Sequence, residues 1–319
     1  MPLPRNLERW ILVALGAVCA ASVAAWLARF GWPFELFSHF RPQLAVAAAL
    51  LVPALLLVRA RRAALLAVVV SALQFAAGAH GLGAAESAPA CSGEPLVVVT
   101  ANVEFTNHET GRLLEWLAAQ QPDVVVLQEV TPEWAAALAQ LAEFPYVRLV
   151  PRRDPYGLAL LSRWPFDSIA PVDLAGDGIP SFEAVVRVRD QSVHVLGLHT
   201  RWPITPALAR SRDRALDNAA RLARASALPT LAVGDLNLTP DSPAYARLLQ
   251  QSGLRDVLAG QGWQPTWMAG FWPLALRIDH QLASPALCVE HAQVGPDIGS
   301  DHRPLIARYR LPATRPARG

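Results

Sequence analysis

The stretch that decides the fold is TLAVGDLNLTP, residues 230–240. Its first five residues are β-prone and apolar, and the run then delivers Asp235 and Asn237 before Thr239 and Pro240 break the pattern. A short apolar strand that ends in a carboxylate and an amide places both groups at one sheet edge, where α/β proteins gather their functional side chains. Alone the reading stays open, because a carboxylate after a strand often caps a helix, and Asp235 or Asp241 suits that role.

Working outward, the same grammar recurs. LVVVTANV (96–103) delivers Asn102, DVVVLQEV (123–130) ends in Gln128 and Glu129, and VHVLGLHTRWP (193–203) ends in His199. RIDHQLAS (277–284) puts Asp279 at the head of a strand, and GSDHRPL (299–305) puts Asp301 and His302 just before the last one. Each has a bland alternative: Glu129 capping the helix after Thr131, His199 as a hydrogen-bonded structural histidine, Asp301 opening a turn. Together these strand ends carry amides, carboxylates and imidazoles with no thiolate among them. Hard oxygen donors of that kind suit Mg²⁺ or Mn²⁺ rather than a structural zinc. A metal, an Asp able to activate water, and His donors are the parts needed to attack a phosphoester and stabilise its charge.

GDLN, RIDH and SDHRPL in this order, with GLALLSRWP (157–165), resemble the endonuclease/exonuclease/phosphatase superfamily. That group holds pancreatic-type deoxyribonucleases, abasic-site endonucleases, inositol-polyphosphate 5-phosphatases and neutral sphingomyelinases. The resemblance runs from about residue 96 to 311 and implies a four-layer α/β sandwich with two central, mostly antiparallel sheets. It implies that Asn102 and Glu129 bind the metal with help from Asp301. Asp235 would orient or deprotonate the attacking water, Asn237 would position it, and His199 would contact phosphate as in the deoxyribonuclease-like branch. Asp279 would orient His302, which would stabilise the phosphorane-like state or protonate the leaving oxygen. A carboxylate partner keeps an imidazole protonated near neutral pH, in agreement with that role.

The rest of this half is consistent with one α/β domain. β-Rich runs fall at 96–101, 123–128, 158–162, 184–189, 193–199, 230–234, 278–283 and 305–310, with helical patterns at 110–121, 131–142, 206–226 and 241–252. Thr110 is a candidate N-cap, and Glu104 and Asn107 either extend the site or end the first strand. Arg163 and Arg201 lie close to the motifs, to contact phosphate or to form structural ion pairs. GWQPTWMAGFWP (262–273) leads into Arg277-Ile278-Asp279. Trp267 in it is expected to pack inside, while Trp263, Phe271 and Trp272 either bury in part or meet substrate or a bilayer interface.

The first third reads differently. Three runs without charge, at 10–28, 43–58 and 63–80, approach the ~20 residues that cross a bilayer, and Pro53 kinks or tilts the second. Arg5 and Arg9 before the first run, and Arg59, Arg61 and Arg62 between the second and third, put the N-terminus and that turn in the cytoplasm. Three crossings then place the catalytic half outside an inner membrane, with Trp32, Phe34, Phe37 and Phe40 at the outer interface. The division expected is an all-α anchor at 1–80, a linker at 81–95, a catalytic domain at 96–311 and a tail at 312–319. Cys91 in the linker and Cys288 late in the domain could pair outside the cytoplasm or remain thiols.

Charge follows the same division. Only 17% of the 319 residues are charged, against about 25% in an average soluble domain. The net +2 is made of +4 over residues 1–86 and −2 over 87–319. All 28 basic residues are arginine, which excludes Schiff-base lysine chemistry and the phosphate-loop lysine of nucleotide triphosphatases. The acidic balance of the second half gives no broad nucleic-acid footprint. The arginines at 201, 210, 212, 214, 221 and 224 read more as a solvated helix face than as a DNA track. The expected protein is a membrane-anchored, metal-dependent phosphodiesterase, nuclease-like or acting on a phospholipid or its head group. The contrasting expectation is an inert membrane interaction protein that keeps the fold.

Overall fold

The computed structural model describes residues 5–78 and 91–312. The end of the third expected span (79–80), most of the expected linker (81–90) and nearly all of the tail (313–319) lie outside the described residues.

The second half is two stacked sheets between two pairs of helices. The strands are β1 (Pro95–Asn102), β2 (Val124–Gln128), β3 (Tyr146–Val150), β4 (Leu158–Ser162), β5 (Phe166–Val172) and β6 (Ser181–Val188). They continue as β7 (Gln191–His199), β8 (Thr230–Asp235), β9 (Arg255–Asp256), β10 (Asp279–Ala283), β11 (Cys288–Val294) and β12 (Leu305–Arg310). One sheet has the order β11-β12-β1-β2-β4-β3 and the other β5-β6-β7-β8-β10-β9. Each sheet is antiparallel except for a parallel step, β1 with β2 and β7 with β8. These two steps decide where the chemistry sits, because a parallel pair presents both C-terminal ends at the same edge.

The period-2 alternation of the apolar strands fills three layers at once. In β1, Leu96 and Val98 point between the sheets while Val99 and Ala101 point outward, and in β2 Val124 and Val126 point in while Val125 and Leu127 point out. The outer face of the first sheet is covered by α5 (Thr110–Gln120) and α6 (Pro132–Leu138), through Leu113, Leu117, Trp134 and Leu138. The second is covered by α7 (Pro206–Ala225) and α8 (Pro243–Ser252), through Leu216, Ala220, Tyr245 and Leu248. Each such large apolar side chain contributes about 1.5–3 kcal/mol on full burial. Trp134, fully buried, also satisfies its indole N–H on the Asn107 carbonyl at 2.8 Å.

Two local expectations are corrected. Helix α6 stops at Leu138, short of residue 142, and is capped by Thr131, whose hydroxyl accepts from Trp134 N, rather than by Glu129. Thr110 lies inside α5, whose N-cap is Glu109 with no side-chain cap bond.

The N-terminal region is α-helical: α1 (Arg5–Trp26), α2 (Phe34–Ser38), α3 (Arg41–Leu57) and α4 (Arg61–Gly78). Asn6–Trp26 and Arg61–Gly78 are long and apolar enough to cross a membrane, while α3, of 17 residues, is shorter and continues through Pro53. Leu15, Leu55, Ala64 and Ala67 form a small core, and Leu50, Leu57, Leu65 and Leu73 point outward, exposed.

The segment between α1 and α3 is locked onto the sandwich. Glu35 meets the fully buried Arg212 of α7 at 2.6 Å and accepts from the Ser242 hydroxyl that caps α8. His39 Nδ1 lies 3.0 Å from the Thr239 hydroxyl, and Gln43 donates to the Ala275 carbonyl at 2.8 Å. Burial pushes the His39 imidazole down to about 4, so it is neutral and its Nδ1 accepts. Arg212 thus departs from the solvated face expected for the α7 arginines, whereas Arg210, Arg214, Arg221 and Arg224 are exposed. Within the second half, Cys91 just ahead of β1 and Cys288 at the start of β11 form a disulfide with their Cα atoms 5.7 Å apart.

Candidate active site

The sheet register brings the motifs to one end of the sandwich. Asn102 at the end of β1 faces Gln128 at the end of β2, and His199 at the end of β7 faces Asp235 at the end of β8. β10 runs antiparallel to β8, so Asp279 at its start faces Asp235. β12 runs antiparallel to β1 with Leu305 opposite Thr100, which sets the preceding loop, Ser300 to His302, beside Asn102. Left-handed backbone at Glu104 (φ 60°), Glu129 (φ 63°) and Asn237 (φ 50°) turns the chain sharply as it leaves the strands. Residues other than glycine occupy that region at a cost and do so chiefly at functional sites. Gly234 (φ 141°) allows the approach of β8 to β7, since a Cβ there would lie 1.8 Å from the Leu198 carbonyl oxygen.

Asn102 ties the two halves together. Its amide donates to Glu129 Oε1 at 2.9 Å and to Asp235 Oδ2 at 3.1 Å, while its own oxygen accepts from Glu104 N. Glu129 Oε2 accepts from Phe105 N at 2.9 Å, and Asp235 Oδ1 accepts from Asn237 N at 2.9 Å. Asn237 is held by its amide on the Thr200 carbonyl. Asp279 Oδ2 sits 2.8 Å from His302 Nδ1, which leaves His302 Nε2 3.9 Å from both Asp235 Oδ2 and Asp301 Oδ1. Asp301 is fixed by the Trp267 indole N–H at 2.8 Å, and its backbone N–H donates to Glu104. Glu104 therefore belongs to the rim of the site, whereas Asn107 satisfies only nearby backbone groups.

The electrostatics sort the groups into roles. Burial alone would lower His302, but the charge and hydrogen bond of Asp279, with Asp235 beyond, hold it up to about 10, as an imidazolium. For Asp279, burial opposes ionisation and is overridden by that imidazolium, so its carboxyl lies below the usual range. Burial, with the Asp279 charge, lifts Asp235 to about 8, and burial likewise raises Glu129. Burial, then the His302 charge, drives His199 down to about 3, so it is neutral.

Glu129, Asp235 and Asp279 are all buried, and one imidazolium faces them. Among the described residues, Asp279 Oδ1 and both His199 ring nitrogens are buried with no hydrogen-bond partner. A site with more buried carboxyls than cations, two of them held toward the neutral form by burial, and with unpartnered atoms fits a divalent cation and a bound phosphoester. The tightest geometric group is Asp235, Asp279 and His302, with one ligand atom of each within 4.8 Å of the others. Within that group Asp279 and the protonated His302 form an ion-paired dyad beside Asp235.

Not every expected residue gathers here. Arg163 follows the end of β4, and β4 pairs antiparallel with β2 so that Ser162 faces Val124, the start of β2. It therefore lies at the far end of the sandwich from Glu129, its guanidinium 5.9 Å from the Phe144 ring, and the expected phosphate contact is corrected. Arg201 is near the site, in an ion pair with Asp177 at 3.0 Å and 4.5 Å over the ring of Tyr156. Tyr156, which no motif singled out, packs 5.3 Å from the His199 ring. Trp267 is half-buried rather than internal. Trp263, Phe271 and Trp272 are 44%, 52% and 43% exposed, with Trp263 and Trp272 beside the N-terminal helices.

The profile of the Endonuclease/Exonuclease/phosphatase family matches residues 99–302, well over half of the chain. The chain belongs to this family. Among solved structures, an endonuclease/exonuclease/phosphatase from Beutenbergia cavernae is similar at 22% identity and a TM-score of 0.56, over 68% of this chain and 72% of that one. D. rerio TDP2 complexed with single-strand DNA product is similar at 19% identity and a TM-score of 0.58, over 68% of this chain and 100% of that one. Sphingomyelinase C from Streptomyces griseocarneus is similar at 21% and 0.51, over 68% and 99%. At these identities the likeness carries the fold alone. No curated protein matches the chain. Family membership does bear on reaction class: such folds usually hydrolyse phosphoester bonds with a divalent metal, and the carboxylate–imidazole cluster fits that use.

Proposed function

We propose that this chain is a membrane-anchored phosphodiesterase that hydrolyses its substrate by attack of an activated water. The observation that carries the reading is the fourfold convergence on Asp235: Asn102, Asn237, His199 and the His302–Asp279 pair all surround one buried carboxylate. A carboxylate raised into the neutral range is matched to take a proton from water. Asn237 positions that water, and neutral His199 is free to donate to a phosphoryl oxygen. The His302 imidazolium, held by Asp279, stabilises the charge developing on phosphorus and supplies the proton that leaves with the alcohol. Glu129, Asp301 and Asn102 would hold Mg²⁺ or Mn²⁺, which supplies charge neutralisation at the phosphoryl group.

Asn102, Glu129, Asp235, Asn237, Asp279, Asp301 and His302 are all present, so the set is complete, against the inert alternative. The purified chain with Mg²⁺ should cleave bis-(p-nitrophenyl) phosphate. Equal rates in wild type, Glu129→Ala and Asp235→Ala would sink the assignment, and absence of divalent-ion binding by calorimetry would favour the inert protein.

The anchor is read as three crossings of an inner membrane with the catalytic domain on the outer side. The Cys91–Cys288 disulfide supports this, because such bonds persist in oxidising compartments. A C-terminal alkaline phosphatase fusion should be active, and an inactive fusion would reverse the topology. Nuclease-like activity is the family-level reading of substrate. A phospholipid or its head group is favoured by the exposed tryptophans beside the helices and by the pairing of Arg201 and Arg212 with acids.

A further inference from the structure

A cleft of about 640 Å³ lies between the helical region and the sandwich. Its size falls in the roughly 300–1,000 Å³ range of small-molecule sites. One wall is the outer part of α3 and α4: Val46 and Ala49, then Val68, Ala72 and Phe75. The opposite wall is catalytic-domain loop, with Trp263 and Trp272. The polar groups collect at the domain end, where Thr239, Asp241 and Arg277 lie beside His39. Gly78, at the outer end of α4, marks that end, since a Cβ on it would sit 3.6 Å from Asp241 Oδ1.

Three features select the occupant. The cleft is amphipathic along its length, polar at the sandwich and mainly apolar along the helices, where it also meets Ser71 and Gln74, the latter held by Arg41 and the Ser22 carbonyl. From Gly78 to Val68, at 1.5 Å per residue, its α4 wall runs ~15 Å, which is one leaflet's share of a ~30 Å hydrocarbon core. Its polar end is built by segments that lead to the site: Thr239 is two residues from Asn237, Arg277 two from Asp279, and Gln43 of α3 donates to the Ala275 carbonyl on the same side.

We infer that this cleft holds one acyl chain of a diacyl phospholipid and that the phosphodiester of that lipid is the substrate. Water adds its oxygen to phosphorus, the ester P–O bond breaks, Asp235 takes the water proton and the leaving oxygen takes one from His302. The products are one alcohol and one phosphomonoester. The inference rests on the anchored-phosphodiesterase reading, and its test separates the two.

The full chain in nanodiscs is irradiated with phosphatidylglycerol that carries a diazirine in one acyl chain, and adducts are mapped by mass spectrometry. Adducts concentrated on Val46, Ala49, Val68 and Phe75 are expected, and Ala49→Trp with Ala72→Trp should cut them at least tenfold while those on Leu65 and Leu73 persist. Ala49→Leu and Ala72→Leu, milder fillings of exposed positions, should lower the same adducts in part. Adducts spread over all outward faces and indifferent to filling would overturn the inference. In the turnover arm, the filled variant should cleave bis-(p-nitrophenyl) phosphate like wild type and vesicle phosphatidylglycerol at least tenfold more slowly. Undiminished lipid turnover in that variant would also overturn it. Wild-type cleavage of the soluble diester but not of the lipid would refute the substrate alone. If wild type cleaved neither, the reaction would be refuted, and the adduct pattern would still decide the cleft.

Discussion

Replacing Asp279 by Asn removes the charge that holds His302 protonated and that also raises Asp235, so the basic limb of a pH profile reports the first effect and the acidic limb the second. The side chain keeps its size in a fully buried position, so the shape around His302 Nδ1, now 2.8 Å from Asp279 Oδ2, is preserved while the negative charge is removed. Two unit charges about 4 Å apart at an effective dielectric of ~20 interact by about 4 kcal/mol. At 1.36 kcal/mol per pKa unit, that is about three units of imidazolium stability. His302, held at about 10 in the native protein, should then lose its proton near neutrality. Roughly tenfold of activity at pH 8 is lost through protonation alone, with any loss of orientation added to it. The assay is the pH–rate profile of bis-(p-nitrophenyl) phosphate hydrolysis at saturating Mg²⁺, whose basic limb should move down by about three pH units. A basic limb that stays in place would refute the reasoning. So would an equal loss at every pH, because Asp279 would then act only by holding the ring.

Three further outcomes test the frame around that dyad. Glu35→Ala strands the Arg212 guanidinium, with Asp213 as its remaining acid, and should cost about 3 kcal/mol of stability; adding Arg212→Met should recover most of it in thermal melts in detergent. Chelation should abolish turnover, and Mg²⁺ or Mn²⁺ should both restore it and raise the Tm of wild type by mass action, whereas Glu129→Ala should show no rise. Gly234→Ala forces a Cβ to 1.8 Å from the Leu198 carbonyl oxygen at φ 141° and should leave little folded protein, as judged by limited proteolysis of membranes.

The strands that carry chemistry were the legible ones. β1, β2, β7 and β8 are central and buried, so they read as mainly apolar runs with polar ends, while β10 (DHQLA) is equally buried and was legible only through the Asp279 motif. β3, β5 and β11 are sheet-edge strands that stay largely half-buried or exposed and so carry no clean apolar run, and Pro171 inside β5 masks it further. Which residues meet across the two sheets could not be read from spacing, and Arg163 shows why: proximity to a motif says nothing about which end of an antiparallel strand a residue occupies. Cys91 and Cys288 are 197 residues apart, and only the pairing of β11 with β12, and of β12 with β1, brings them together. The segment between the first two spans looked like an interfacial stretch of aromatics. Its polar residues Glu35 and His39, with Gln43 at the start of the second span, were the signal of a docking edge.

That docking edge changes what the N-terminal helices do. A catalytic domain joined only through a Gly/Ser-rich linker would sample positions over ~5–6 Å times the square root of the linker length, with its site facing any direction. Here a buried ion pair, a neutral histidine and a carbonyl clasp fix the helices to the segments around Asn237 and Asp279. Burying Glu35 and Arg212 together carries a desolvation cost that the pair's attraction roughly offsets, so their worth lies less in stability than in allowing a single register between the two parts. A mislocated interface would leave Arg212 without Glu35, at a cost of kilocalories. The site thus has a fixed height and direction relative to α1, α3 and α4, and a substrate that reaches it along those helices meets a preformed geometry.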